Sequence, residues 1–152
     1  MITDSYLRLS DAQGAITADA VSTNTIDLSI AREIGEGKDI FMVFTVTTTG
    51  TGAGTVVFSA IVDTDAALAT SVTTLVSSGA YVGTALTAAT STNGLGTQII
   101  LRLPPVIGSL GKRYLGANYD VTGTVGALKV TCDIVTDISD GKKFYTSGFS
   151  IT

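Results

Sequence analysis

Lys129-Val130-Thr131-Cys132-Asp133-Ile134-Val135-Thr136-Asp137-Ile138 is the stretch that decides the fold. Val130, Cys132, Ile134 and Ile138 face one way, and Lys129, Thr131, Asp133 and Asp137 the other, which is the period of two of a strand half-buried against a core. Working outward, Arg113 to Val121 repeats the pattern. Leu115, Ala117 and Tyr119 share one face, Tyr114, Gly116 and Asn118 the other, and Thr122 to Gly126 make the following turn. Gln98 to Leu103 reads as a strand stopped by Pro104-Pro105, because proline cannot donate to a ladder. Upstream, Val72 to Val76 reads as a short strand, followed by an Ala/Thr/Ser/Gly segment in which Asn93-Gly94 signals a turn. Asp39 to Thr48 and Thr55 to Val62 are rich in β-branched and aromatic residues and apolar on both faces for part of their length. Gly50-Thr51-Gly52-Ala53-Gly54 between them predicts a hairpin turn. Ile26, Leu28 and Ile30 alternate with Asp27 and Ser29, and Asp65 to Ser71 predicts one helical turn capped by Asp65, serving as a connector.

Short strands separated by turn residues predict an all-β antiparallel sandwich, since each sheet must bury one face against another. A jelly roll fits the strand number, about eight. The absence of a Cys…Trp…Cys signature removes one version of the immunoglobulin-like alternative. The 152 residues suit one domain that buries roughly two-thirds of its unfolded surface. Residues 1–21 read as an arm reaching a neighbour or as an edge strand, and 139–152 as a C-terminal tail. No apolar run approaches the ~18 residues of a membrane helix, and Met1 to Ser5 lacks the basic flank of a secretory signal. The mean hydropathy of +0.44 is therefore assigned to packed strands.

The composition starves chemistry. There is no histidine, no tryptophan and one cysteine, and 14% of residues are charged. Acid-base catalysis, metal binding and activated nucleophiles draw on those residue types, so the chain is expected to be non-enzymatic, without cofactor or metal. Cys132, set among alternating apolar residues, reads as a buried core thiol. A net charge of −4 argues against a nucleic-acid partner held by phosphate neutralisation. The glycine run at 50–54 lacks the spacing and the following helix of a phosphate loop. Asp63-Thr64-Asp65 lacks the glycine and distal glutamate of a calcium loop. Asp137 and Asp140 beside Lys142 and Lys143 read as a solvated strand end.

One feature calls for a partner or a cover. If Ile40, Met42, Phe44 and Val46 line the core, then Phe41 and Val43 point the opposite way, as do Val57 and Ile61 on the next strand. A monomeric sandwich usually solvates its second face, so either long loops or another subunit cover these side chains. Tyr6, Leu7 and Leu9 are apolar anchors in the N-terminal segment, and the Lys142-Lys143-Phe144-Tyr145 tail is a second candidate contact. Tyr6, Leu7, Leu9, Phe41, Val43, Val57 and Ile61 thus form the candidate interface set.

Ser10-Asp11-Ala12-Gln13, Ser22-Thr23-Asn24-Thr25-Ile26-Asp27-Leu28, Arg113-Tyr114-Leu115 with Tyr119, and Tyr145-Thr146-Ser147-Gly148-Phe149 together resemble the cement, or decoration, proteins of tailed bacteriophages. The resemblance covers most of the chain and departs from the pattern at Gly116, where a bulkier residue or an arginine is expected. It implies a jelly-roll fold and a homo-oligomer, a dimer first and a trimer second. It also implies a virion location on the capsid exterior after synthesis in the host cytoplasm, with the major capsid protein as partner, while charge and hydropathy leave no nucleic-acid or membrane partner expected. The alternative is a carbohydrate-binding or adhesin-like sandwich of a phage or bacterial surface structure, which the scarcity of aromatic rings disfavours.

Overall fold

A computed structural model describes residues 4–29, 39–88, 96–105, 111–136 and 138. Among them run nine strands: β1 (Arg8–Gln13), β2 (Ala20–Val21), β3 (Ile26–Asp27), β4 (Phe41–Thr48), β5 (Thr55–Asp63), β6 (Thr73–Val82), β7 (Gln98–Arg102), β8 (Tyr114–Thr122) and β9 (Lys129–Val135). The two short helical elements, Ser5–Leu7 and Gly83–Ala85, are single 3-10 turns. One sheet has the order β1-β9-β4-β7 and the other β2-β8-β5-β6, with β3 also on β8.

Every pairing is antiparallel, and the pairs nest. β1 pairs with β9, β2 and β3 with β8, β4 with β7, and β5 with β6. That is one long antiparallel ribbon rolled so that its successive rungs fall in opposite sheets, the winding of a jelly roll. The sandwich expected from the alternating strands is therefore the fold.

The hairpin expected at Gly50 to Gly54 is not. β4 and β5 lie in different sheets, and the glycine segment carries the chain across the end of the sandwich. There it packs backbone to backbone: Gly52 N–H donates to the Val125 carbonyl (2.9 Å), Gly54 N–H to the Thr124 carbonyl (2.7 Å), and Gly83 N–H to the Gly54 carbonyl (2.9 Å). A Cβ on Gly52 would overlap the Thr124 carbonyl oxygen, so glycine is required by close approach. The strand expected at Val72 to Val76 is longer, reaching Val82. Asp65 to Ser71 forms turns instead of a helical segment. The turn expected at Asn93-Gly94 lies outside the described residues.

The core lies between the sheets. Met42, Phe44 and Val46 from β4, Val56, Phe58, Ala60 and Val62 from β5, Leu115, Ala117 and Tyr119 from β8, and Val130, Cys132 and Ile134 from β9 are all buried in one cluster. Phe44, Phe58 and Tyr119 form its aromatic centre, with centroid separations of 5.1 Å (Phe44 to Phe58) and 5.9 Å (each to Tyr119). The Tyr119 hydroxyl donates to Ser10 Oγ (2.8 Å), which donates to Gln13 Oε1 (2.7 Å), while Gln13 Nε2 reaches the Val21 carbonyl (2.8 Å). This chain of bonds ties β8 and β2 in one sheet to β1 in the other. It also satisfies a phenol whose burial would otherwise be costly. Burial, and secondarily the Asp133 charge, push the Cys132 thiol well above its ordinary pKa, so it stays a neutral core group.

Candidate interaction surfaces

The N-terminal candidates divide. Residues 8–13 follow the edge-strand reading, because β1 is hydrogen-bonded to β9. Register irregularities on either side of Ser10 break the alternation, so that Leu9 and Ser10 are both buried. Leu9 is thus a core residue and not an exposed anchor. Leu7 packs partly buried against the same core. Tyr6 remains 78% exposed on a 3-10 turn whose first N–H groups are capped by Asp4, through Tyr6 N–H to Oδ1 (3.0 Å).

The four outer-face candidates do not make one patch. Phe41 and Val43 lie on the outer face of the β1-β9-β4-β7 sheet, Val57 and Ile61 on that of the other sheet, with the core between them. This corrects the grouping that the expected hairpin implied. Phe41 and Val57 are half-buried, whereas Val43 and Ile61 are 2% and 1% exposed. Val43 sits in the ladder between Ile100 and Asp133.

For Ile61 the cover is visible. Its partner across the ladder is Gly116, and Leu68 of the 64–72 loop seats on Gly116 so closely that a Cβ there would overlap Leu68 Cδ1. Leu68 adopts φ 53°, a left-handed conformation that is strained for leucine and held by this seating. The departure at Gly116 thus has an internal explanation: the position holds the chain's own loop. Of the two covers expected for the outer face, a loop serves here.

Asp63, at the end of β5, anchors that loop. Its carboxylate accepts from Thr64 N–H (2.6 Å), Thr70 N–H (3.0 Å), Ser71 N–H (3.0 Å) and the Ser71 hydroxyl (2.7 Å). Burial alone would raise its pKa. The donors from Ser71, Thr70 and Thr64 outweigh burial and hold it below the usual carboxylate range. Lys112 Nζ donates to Ser71 O (2.6 Å) and Oγ (2.9 Å) from outside. The Asp63 carboxylate is already engaged by these internal N–H and O–H donors, most of them on Oδ1, in tying down its own loop.

The arginines of the described residues are each paired. Arg113 grips both oxygens of Asp27 (3.0 and 2.7 Å) and lies over the Tyr114 ring. Arg8 bonds Asp133 (2.9 Å) and Asp11 (3.2 Å), and Arg102 bonds Asp39. Among the described residues no three His, Cys, Asp or Glu side chains converge as metal ligands, and no helix is long and apolar enough to cross a membrane.

What strand periodicity missed are the exposed apolar side chains Val72, Tyr81, Val82 and Ile100, on or beside the edge strands β6 and β7. The signal was the absence of charge from Val72 to Val82. Tyr81 still touches the core ring of Phe58, at 6.1 Å between centroids.

The molecule is thus a jelly-roll sandwich whose distinctive features are surfaces and edges. The Bbp16 family model matches residues 9–134, and the chain belongs to that family. No curated protein matches it.

Proposed function

We propose that the chain is a structural protein of a phage virion that binds the outer surface of the capsid and clamps neighbouring major capsid subunits. Membership of the Bbp16 family, whose name suggests phage-related proteins, is the observation that carries this reading. The sandwich supports it with exposed apolar residues at edges and with arginines already engaged in internal pairs. Copies associate with one another, dimers first, and each bridges capsid subunits in their assembled arrangement only. By linkage, a ligand that binds one arrangement stabilises it by its binding free energy, multiplied over symmetric copies. With 14% of residues charged, apolar and main-chain contacts dominate and moderate salt weakens binding little.

The test is calorimetry of shells assembled without the protein, scanned alone and after its addition. The shell transition is expected to rise. An unchanged transition with folded protein bound to glycan arrays would replace this reading with the adhesin alternative.

A further inference from the structure

We infer that the outer edge of β6, which no further strand pairs among the described residues, takes up an extended, uncharged segment of the partner protein as an added strand, an inference that rests on the capsid-binding reading above. The described edges are unequal. β1 is six residues long, irregular in register and carries the Arg8–Asp11 pair. β7 has five residues and ends in Arg102, paired with Asp39. β2 and β3 have two residues each. Shortness and charge are two of the ways sheets protect their edges.

β6 runs ten residues, Thr73 to Val82, with no charged residue and no proline, and among the described residues only β5 pairs with it. Exposed Tyr81 and Val82 close one end of it. An edge of this kind presents main-chain donors and acceptors and asks for no counter-charge, so the matching ligand is an uncharged strand.

Its register also selects the kind of strand. β6 carries an extra residue between the Val57–Ala80 and Ser59–Ser77 pairs, and another between Ala60–Val76 and Ile61–Thr74. At the first, Phe58 N–H turns to Ser78 Oγ (3.0 Å) in place of a ladder carbonyl. Bulges bend and twist a strand. A second copy of β6, bent by the same bulges, would match this edge over short stretches only, whereas a pliable segment can follow it throughout.

The experiment uses the full chain, shells assembled without it, and the variant Ser77→Lys/Val82→Lys, in which two exposed positions of β6 gain the charge that the other edges carry. Wild type is expected to co-sediment with shells and the variant to bind about tenfold more weakly. Circular dichroism and melting checks that the variant is folded. Hydrogen exchange of bound wild type should slow at the amides of 73–82 and not at β1 or β7.

Equal binding by the folded variant, or unchanged exchange in β6 while wild type binds, would overturn the edge assignment and leave the capsid reading standing. Failure of wild type to bind would overturn both. Shell-free dimers of wild type abolished by the two lysines would show that a second copy occupies the edge, which also overturns the inference.

Discussion

The two ends of β5 are closed by opposite means. Before Thr55 the chain crosses between sheets on glycines, with Gly52 and Gly54 hydrogen-bonded to Val125 and Thr124 and no side chain intervening. After Val62 a single carboxylate, Asp63, gathers the N–H and O–H groups of Thr64, Thr70 and Ser71 and lays Leu68 on the outer face. The first closure tolerates no added atom, because its neighbours are backbone. The second is a polar staple on a loop, so it should open locally without unfolding the sandwich.

The largest effect should come at the glycine end. Gly52→Ala drives a methyl into the Thr124 carbonyl, and overpacking against backbone should cost about 3 kcal/mol. Urea denaturation would measure it, and a loss below 1 kcal/mol would show that the crossing yields. At the other end, Leu68→Ala removes a buried side chain and, because alanine keeps the Cβ, leaves the left-handed φ as strained as before, so the net loss should be about 2 kcal/mol. Gly116→Ala should destabilise wild type and cost less in the Leu68→Ala background, because the severe overlap is with Leu68 Cδ1, while Ser22 Oγ at 3.0 Å remains a tight neighbour in both. Additive losses in this double-mutant cycle would contradict the seating.

Between the two ends, Phe58 pairs with Tyr119. Tyr119→Phe should cost about 1 kcal/mol, since it deletes one bond while Ser10 keeps its own to Gln13. Denaturation together with hydrogen exchange of β1 would check this.

The smallest effect concerns acid. Asp63 and Asp27 both have folded pKa values below the ordinary 3.8, Asp27 chiefly through the Arg113 side chain. Their contribution is fully present above the unfolded value and lost as pH falls below about 4 toward the folded value. Melting temperature against pH should therefore fall below about 4, and less steeply in Asp63→Asn. Identical profiles would remove Asp63 from the account.

These contrasts also show what the sequence made legible. Alternation in Tyr114 to Val121 and Lys129 to Val135 placed Leu115, Ala117, Tyr119, Val130, Cys132 and Ile134 on the core side, because a strand buried on one face writes its orientation at period two. The glycine run reads as a hairpin turn in the sequence because its true reason is non-local. A turn signal marks where the chain bends, not which sheet it enters, and Thr124 and Val125 lie far along the sequence. A hairpin there would put Phe41 and Val43 on the same surface as Val57 and Ile61, whereas β4 and β5 lie in different sheets. Leu9 escaped because the irregular register of β1 breaks its alternation. β6 was cut short because Ser77, Ser78, Gly79 and Ala80 are poor strand formers that tertiary pairing overrides. Of the candidate surface residues Tyr6 stands exposed, whereas the β6 edge could be recognised only once its pairing was known.

Capture by an assembled shell is the behaviour that the proposed function requires. Purified protein should be mixed with mature shells of the proposed capsid partner assembled without it, and the mixture sedimented at low and at moderate salt. Near-stoichiometric co-sedimentation at both is predicted. Folded protein left in the supernatant, with correctly matured shells in the pellet, would contradict it.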